Sequence, residues 1–436
     1  MKRVEENKLV KTTKNVLVWG MLHASQIKSR LIILFEKKQW DEHYKNVIVN
    51  IQKSGRKTLR FAAYVMYDSD YGVDALFVKM MERNSGWDPR IVVVPDISRG
   101  KSHARKLYQQ TRQFFISKYG KEYVVDGWNL HGEFYDHIDE FDVVYYNSPY
   151  DSMAHPYHKI RYSTTKNVLP IYITYGYEIS KSYTLERYRS LEINCLWKCY
   201  TDTIYSYNDY RKYQTRKGKN VELVGYSKMD NFVNAMKVQG EDKKTILIAS
   251  HHTVDDPRLP LSNFLKYYNL LVNLPKLFPE IHFIFRPHPL LFTTLINKGL
   301  WKSEKVQKYL ERMEKNGIEY SSGGDYFDLF SRADAIINDC GSFTIEWLFT
   351  GKPGCFMRNS KLRNRQLTSL MNKALAGYEI ARNKDDIISF VSKIQSDSFE
   401  KESGMKSWVK DGIAINYPNV SDVILLNLYN AILGSD

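Results

Sequence analysis

The sequence predicts an α/β protein: two Rossmann-like domains with parallel sheets facing a cleft, preceded by a helical N-terminal extension. Three observations carry that expectation. The chain has 436 residues, more than one ordinary core holds, so two domains of roughly 200 residues are the natural division. Short apolar runs alternate with helical patterns through both halves, the mark of parallel sheets covered on both faces. One polar stretch, Lys237-Val238-Gln239-Gly240-Glu241-Asp242-Lys243-Lys244, interrupts the alternation before it restarts, and reads as a linker.

The extension, residues 1–56, carries mixed charge with Ile27, Leu31, Leu34 and Phe35 at helical spacing. A helix packed on the first domain is the expectation. Trp19, Trp40 and the interleaved lysines make an interfacial membrane anchor the alternative. In the first domain, 57–236, strands are expected at 59–67, 90–95, 122–125, 141–146, 169–174, 203–206 and 221–224, with helices at 73–84 and 103–117. In the second, 237–436, strands are expected at 245–249, 281–285 and 335–338, with helices near 261–276 and 304–315. The last helix is free to pack back on the first domain.

Composition narrows the function classes. With 43% hydrophobic and 26% charged residues, the chain is a folded globular protein and not a disordered one. Its 63 basic and 49 acidic residues leave a net charge of +14, which favours polyanions such as nucleotides, phosphorylated glycans and anionic lipid surfaces. The basic residues are scattered and lack an aromatic RNA-binding signature, so no nucleic acid is expected as partner. A membrane surface is the better match. No apolar run approaches a span of about 18–20 residues, and Lys and Glu crowd the first fifteen residues, unlike a signal peptide. Any membrane contact is therefore expected to be peripheral. Cys195 and Cys199 have no second Cys or His pair for a zinc site, and a reduced protein is the default.

In open parallel sheets, ligands sit at the C-terminal ends of strands. Three second-domain segments obey that rule: Ser250-His251-His252-Thr253, Arg286-Pro287-His288-Pro289 and Asp339-Cys340-Gly341-Ser342. His288, between two prolines, is held stiffly, and Arg286 is a permanent cation suited to a diphosphate. Ser342 is a candidate N-cap for a short helix over 343–350, whose N-terminus would bind phosphate, with Gly341 allowing close approach. Glu346, one turn in, suits ribose hydroxyls. A metal site built from His251, His252 and His288 is not expected, because nearby carboxylates are lacking. In the first domain, Tyr175-Gly176-Tyr177-Glu178, Asn147-Ser148-Pro149-Tyr150 and Asp68-Ser69-Asp70 follow strands, with His155 and His158 beyond. The residues alone do not choose a base among them.

The order Ser-His-His-Thr, then Phe285-Arg286-Pro287-His288-Pro289, then Asp339-Cys340-Gly341-Ser342-Phe343, then Gly351-Lys352-Pro353 resembles the CDP-glycerol glycerophosphotransferase family. That family includes the teichoic-acid primases and polymerases and has a GT-B architecture. The resemblance spans residues 58–435, with Asp325-Tyr326-Phe327-Asp328-Leu329-Phe330 and Val224-Gly225-Tyr226-Ser227-Lys228-Met229-Asp230 as further segments. It implies a GT-B-like fold with an acceptor domain first and a nucleotide-donor domain second. It also implies metal-independent transfer of glycerol phosphate, or a similar alditol phosphate, from a CDP-activated donor, with release of CMP and no cofactor. The acceptor would be a hydroxyl of a polyanionic cell-surface glycan or glycolipid, and the location cytoplasmic, at the inner face of the membrane.

On this resemblance His288 contacts the donor diphosphate, Gly341 and Ser342 bind phosphate, Asp339 steadies the loop, and Glu346 sits near the nucleotide sugar. The catalytic candidates are His288, Asp339 and His251. The substrate-binding candidates are Arg286, His252, Gly341, Ser342, Thr344, Glu346, Tyr175 and Gly176. The family places a proposed histidine base in a first-domain His-Gly-Thr motif, where this chain has Tyr175-Gly176-Tyr177; Cys340 and Gly341 also replace its more usual Tyr and Ser. The alternatives are a GT-B glycosyltransferase or sugar-nucleotide epimerase, and a non-catalytic glycan-binding protein at the membrane.

Overall fold

Strands that are apolar at nearly every position must be covered on both faces, and the computed structural model shows two such sheets. It describes residues 2–68, 71–98, 100–129, 131–235, 243–322, 326–399 and 405–434, with backbone alone for 2–25 and 234. Most of the expected linker, Ser69 and Asp70, and Asp325 lie outside the described residues.

The first sheet contains β1 (Leu59–Val65), β2 (Trp87–Val93), β3 (Val124–Asp126), β4 (Val143–Tyr146), β5 (Leu169–Ile173), β6 (Lys198–Thr201) and β7 (Val221–Leu223). Its order is β3-β2-β1-β4-β5-β6-β7, parallel throughout. The second contains β8 (Thr245–Ala249), β9 (His282–Phe285), β10 (Ile318–Tyr320), β11 (Ala335–Asn338), β12 (Gly354–Met357) and β13 (Glu379–Ala381). Its order, β10-β9-β8-β11-β12-β13, repeats the same winding. Each sheet therefore has a switch point, between β1 and β4 and between β8 and β11, where a crevice opens for a ligand. This is the two-domain α/β architecture of a GT-B-like fold.

The helix Lys2–Lys53 buries Ile33, Trp40, Tyr44, Val47 and Ile51 in the core of the first sheet. The Tyr44 hydroxyl donates to the Cys195 carbonyl, and Asp41 pairs with Arg216 and Lys219. The last helix, Val420–Leu433, joins that same core through Val420, Ile424, Leu428 and Ile432. Asp230 directs its return by accepting the Val420 and Ser421 N–H groups at 3.1 and 2.7 Å, a carboxylate placed at the positive end of a helix.

Several element expectations change. Residues 203–206 are not a strand: β6 has already ended at Thr201, and Thr203 caps the helix Ile204–Tyr213 by accepting the Ser206 N–H. Thr is as good an N-cap as a strand residue, and the tertiary context chose the cap. β2 begins three residues earlier than expected and includes Pro89, which β3 does not reach because it pairs only with Ile91–Val93. The stretch 261–276 divides into the helices Phe264–Leu271 and Leu274–Leu277. β10, β12 and β13 add short strands beyond those expected.

Candidate functional site

The registers Ala335↔Ile246 to Asn338↔Ala249 and Ile248↔Phe285 bring the ends of β8, β9 and β11 level. Ser250, Arg286 and Asp339 thus leave the sheet side by side. Backbone and carboxylate bonds then join the three loops. The His288 N–H donates to the Ser250 carbonyl at 2.9 Å. Asp339 is fully buried and accepts the His251 N–H at 2.6 Å on one oxygen and the Asn263 N–H at 2.5 Å on the other. Burial pushes its pKa up to about 7 against the pull of those two N–H groups.

This stitching gathers three imidazoles. The ring centres of His252 and His288 lie 4.0 Å apart, those of His251 and His252 4.4 Å, and those of His251 and His288 5.2 Å. One nitrogen from each falls within 4.8 Å of the others. Burial lowers all three pKa values, reinforced by the neighbouring rings for His251 and His288; that of His288 falls to about 3. The cluster is therefore neutral at pH 7.

Backbone donors select the tautomer. The Thr253 N–H points at His251 Nδ1 (3.2 Å), with the Thr253 hydroxyl 2.8 Å from the same nitrogen, and the Leu290 N–H points at His288 Nδ1 (3.1 Å). A nitrogen that accepts cannot carry the proton, so in both neutral rings the proton is on Nε2. Metal-bound imidazoles instead donate their second N–H outward. The pair is thus set up to offer N–H donors to an anion, and suits a metal poorly. Two fully buried or enclosed polar atoms in the same place, Ser250 Oγ and His252 Nδ1, have no hydrogen-bond partner among the described residues. Such orphans mark where a ligand or water completes the bonding.

Arg286, two residues before His288 in the same loop, is 7% exposed and donates to Ser321 Oγ at 2.9 Å with its guanidinium 5.5 Å from the Tyr326 ring centre. Tyr326 continues the chain of contacts. Its hydroxyl donates to Glu346 Oε2 at 2.6 Å and accepts from Lys228 Nζ at 2.9 Å. Lys228 precedes the expected linker, so this bond ties the two halves of the chain across the cleft. Neither Tyr326 nor Lys228 was a site expectation; their only signal was membership of the segments that carry the family resemblance.

The loop after β11 differs in detail from expectation. The helix is Gly341–Glu346, followed by a tighter turn at Trp347–Thr350, and its N-cap is Cys340, with no side-chain capping bond from Ser342. A β-carbon on Gly341 would come within 2.0 Å of Ile179 Cδ1, so this glycine admits the other domain's side chain and its small size is explained without a phosphate. A β-carbon on Gly176 would lie 3.7 Å from Ser342 Oγ, which places these two expected residues together across the cleft. Thr344 was an expected substrate contact. It is fully buried, and its hydroxyl bonds Asn338 Oδ1 and the Cys340 carbonyl. Asp339, an expected catalytic residue, has both its oxygens on loop amides.

On the first-domain side, the Tyr175 carbonyl accepts from Tyr226 and its ring lies 5.8 Å from the Arg187 guanidinium. Glu178 is buried in an ion pair with Arg187 and accepts from Thr184. Thr368 fastens this segment to the second domain through the Glu178 and Ile179 carbonyls. Asn147 is spent on Met66 and Tyr67. His155 stacks on Phe134 at 3.8 Å, and His158 is buried against the Tyr135 carbonyl. Cys195 and Cys199 are separately buried, bonding the Glu192 carbonyl and the Tyr210 hydroxyl.

No protein-family model matches the chain, and no curated protein is similar to it in sequence. Solved structures do resemble it. The UDP-GlcNAc 2-epimerase of Neisseria meningitidis bound to UDP-GlcNAc superposes with a TM-score of 0.53 at 13% identity, over 85% of this chain and 99% of that one. A UDP-N-acetylglucosamine 2-epimerase described from Listeria monocytogenes gives 0.52 at 9% identity, over 87% and 98%. A histidine variant of the wall teichoic acid polymerase TagF, with CDPG, gives 0.53 at 14% identity, over 94% and 98%. At such identities the likeness establishes the GT-B fold and stops there.

Proposed function

We propose that the chain transfers an alditol phosphate, glycerol phosphate in the leading case, from a CDP-activated donor to a hydroxyl of a cell-surface glycan or glycolipid. The acceptor oxygen attacks the phosphorus that carries the glycerol. The bond from that phosphorus to the bridging oxygen breaks, CMP leaves with the electron pair, and the hydroxyl proton is released. The observation that carries this reading is the pair of neutral imidazoles, His251 and His288, whose Nδ1 atoms are occupied by backbone N–H groups. Donors preset toward a departing phosphate stabilise charge as it develops. Arg286 supplies the fixed positive charge, and Glu346, steadied by Tyr326, suits the nucleotide's sugar hydroxyls. The full-length likeness to TagF agrees with this assignment.

The second reading is a GT-B enzyme acting on a nucleotide sugar, which the likeness to the UDP-GlcNAc 2-epimerases favours. The same cradle serves any nucleoside diphosphate. Thermal-shift screening of CDP-glycerol, CDP-ribitol, UDP-GlcNAc and CMP-sugars separates the two, since a ligand at about 100 Kd stabilises by ~2.7 kcal/mol. CDP-glycerol or CDP-ribitol is expected to give the largest shift. A shift with UDP-GlcNAc alone would move the assignment to the second reading.

A further inference from the structure

The loop that leaves β8 carries two of the three imidazoles and then touches the first domain. Arg258 makes that contact. Its guanidinium lies 3.9 Å from the ring centre of Tyr183 and donates to Glu186 Oε1 at 2.7 Å. Both partners stand on the helix Lys181–Arg189, at i and i+3 and therefore on one face of it. The same helix turns Thr184 and Arg187, both buried, the other way, where they hold Glu178 in the segment that begins with Tyr175 and Gly176. Arg258 thus joins the helix that backs the first-domain side of the cleft to the loop that supplies His251 and His252.

The loop is built to transmit that contact. Pro257 and Pro260 flank Arg258-Leu259 and stiffen the backbone there. Asp256 Oδ1 accepts the Arg258 and Leu259 N–H groups at 2.8 and 3.1 Å, and Leu259 and Leu261 are anchored in a buried apolar cluster with β8 and β11. Nearer the root, the Val254 N–H donates to the His252 carbonyl at 2.7 Å, and Thr253 bonds His251 Nδ1. Local bonds therefore follow one another from the imidazoles to Arg258. The domains do not depend on this contact to stay together, because Thr368 already fastens the Glu178 and Ile179 carbonyls to the second domain. The Arg258 and Glu186 side chains are 41% and 39% exposed, and ion pairs so open to water add little to stability. What the contact fixes is a position.

We propose that Arg258 is a positioning residue for transfer: stacked on Tyr183 and paired with Glu186, it sets where the loop of His251 and His252 stands against the first domain. It thereby sets where those imidazoles meet the departing phosphate. The proposal rests on the reading of the trio as the donor site.

Two measurements on the full chain test it, one of them independent of the reaction. In protein carrying isotopically labelled histidine, Arg258→Met is expected to shift the ring resonances of His251 and His252. Lys361→Met, which frees Asp255 of the same loop from a contact inside the second domain at 3.3 Å, is expected to leave them in place. In CMP release from CDP-glycerol, Arg258→Met should lower kcat about three- to tenfold, the scale of one exposed stacked cation and one exposed ion pair. KM and Tm should stay near wild type, because groups that act on developing charge appear in kcat. The double variant Tyr183→Leu/Glu186→Gln, made wholly in the first domain, should reproduce that loss and add nothing to it when combined with Arg258→Met. Arg258→Lys should recover part of it. Unmoved histidine resonances, a change in KM alone, or full turnover by Tyr183→Leu/Glu186→Gln would each overturn the proposal. A wild type that releases no CMP would remove the transfer reading instead, and the histidine resonances would still decide whether Arg258 positions the loop.

Discussion

Two histidine groups stand at the C-terminal ends of strands, one in each domain, and both are buried enough to be neutral. In the second domain His251, His252 and His288 are gathered by loops tied to Asp339 and Ser250. In the first, His158 has its pKa lowered to about 4, chiefly by burial. The difference lies in where the proton goes. His251 and His288 accept backbone N–H groups on Nδ1, which leaves Nε2–H as a donor for something else. His158 spends its Nε2 on the Tyr135 carbonyl and packs edge-on against Tyr64, while its neighbour His155 lies flat on Phe134. A depressed pKa therefore does not distinguish a site from a core; the direction of the remaining donor does.

The largest test of that contrast is paired substitution. His288→Ala is expected to reduce transfer by roughly 10²–10⁴-fold, the scale of a lost proton-handling group, with little change in melting temperature. His158→Ala should do the reverse, destabilising the fold while leaving turnover per folded molecule near wild type. Steady-state kinetics and thermal melts on both variants decide it. Full turnover by His288→Ala would remove the assignment of the trio.

Next in size is the support beneath the trio. Asp339→Asn replaces a buried carboxylate that accepts two backbone N–H groups with an amide that offers a donor to one of them. The cost is expected to be about 2–3 kcal/mol, read as a lowered urea midpoint. Nucleotide binding should weaken with it, because His251 loses its backbone anchor. A variant as stable as wild type would show that the three loops are held by other means.

The pH dependence of stability follows from the same pKa values. His288 titrates near 3 when folded and near its ordinary value, about 6.5, when unfolded. Between those values the unfolded chain binds the extra proton, so this residue's contribution to stability is present above pH ~6.5 and is lost as the pH falls. Asp339, raised to about 7, acts in the opposite direction, so the whole-chain profile mixes both signs. The comparison with His288→Gln isolates the imidazole: wild type should lose about 1–2 kcal/mol relative to the variant between pH 7 and pH 5. Parallel curves would mean that the ring is more solvated than its burial implies.

The sheets were legible because parallel strands buried on both faces leave uninterrupted apolar runs such as Thr245–Ala249. The strand-end rule then located the loops before any contact was known. Short strands escaped: Ile318–Tyr320 and Glu379–Ala381 have three residues each, and 203–206 had strand-like residues that the chain used for a cap. Gly341 was the subtler case. Its smallness was visible, but its cause, Ile179, lies in the other domain and has no spacing relation to it. Lys228 and Tyr326 escaped for the same reason, since a bond across a cleft leaves no pattern along the chain.

That cross-cleft relay gives the smallest expected effect, and it contrasts with the trio because it acts between domains. Tyr326→Phe removes the hydroxyl that donates to Glu346 and accepts from Lys228, while keeping the ring beside Arg286. Glu346 is 1% exposed, so losing one hydrogen bond there is expected to cost about 1 kcal/mol. If Glu346 binds the nucleotide's sugar, the loss should appear as a few-fold rise in KM with kcat nearly unchanged, because the interaction is made equally in ground and transition states. A fall in kcat with KM unchanged would place Tyr326 instead in the closure of the two domains. Lys228→Met then separates the two roles: it leaves the Tyr326 donor to Glu346 in place and removes only the tie across the cleft.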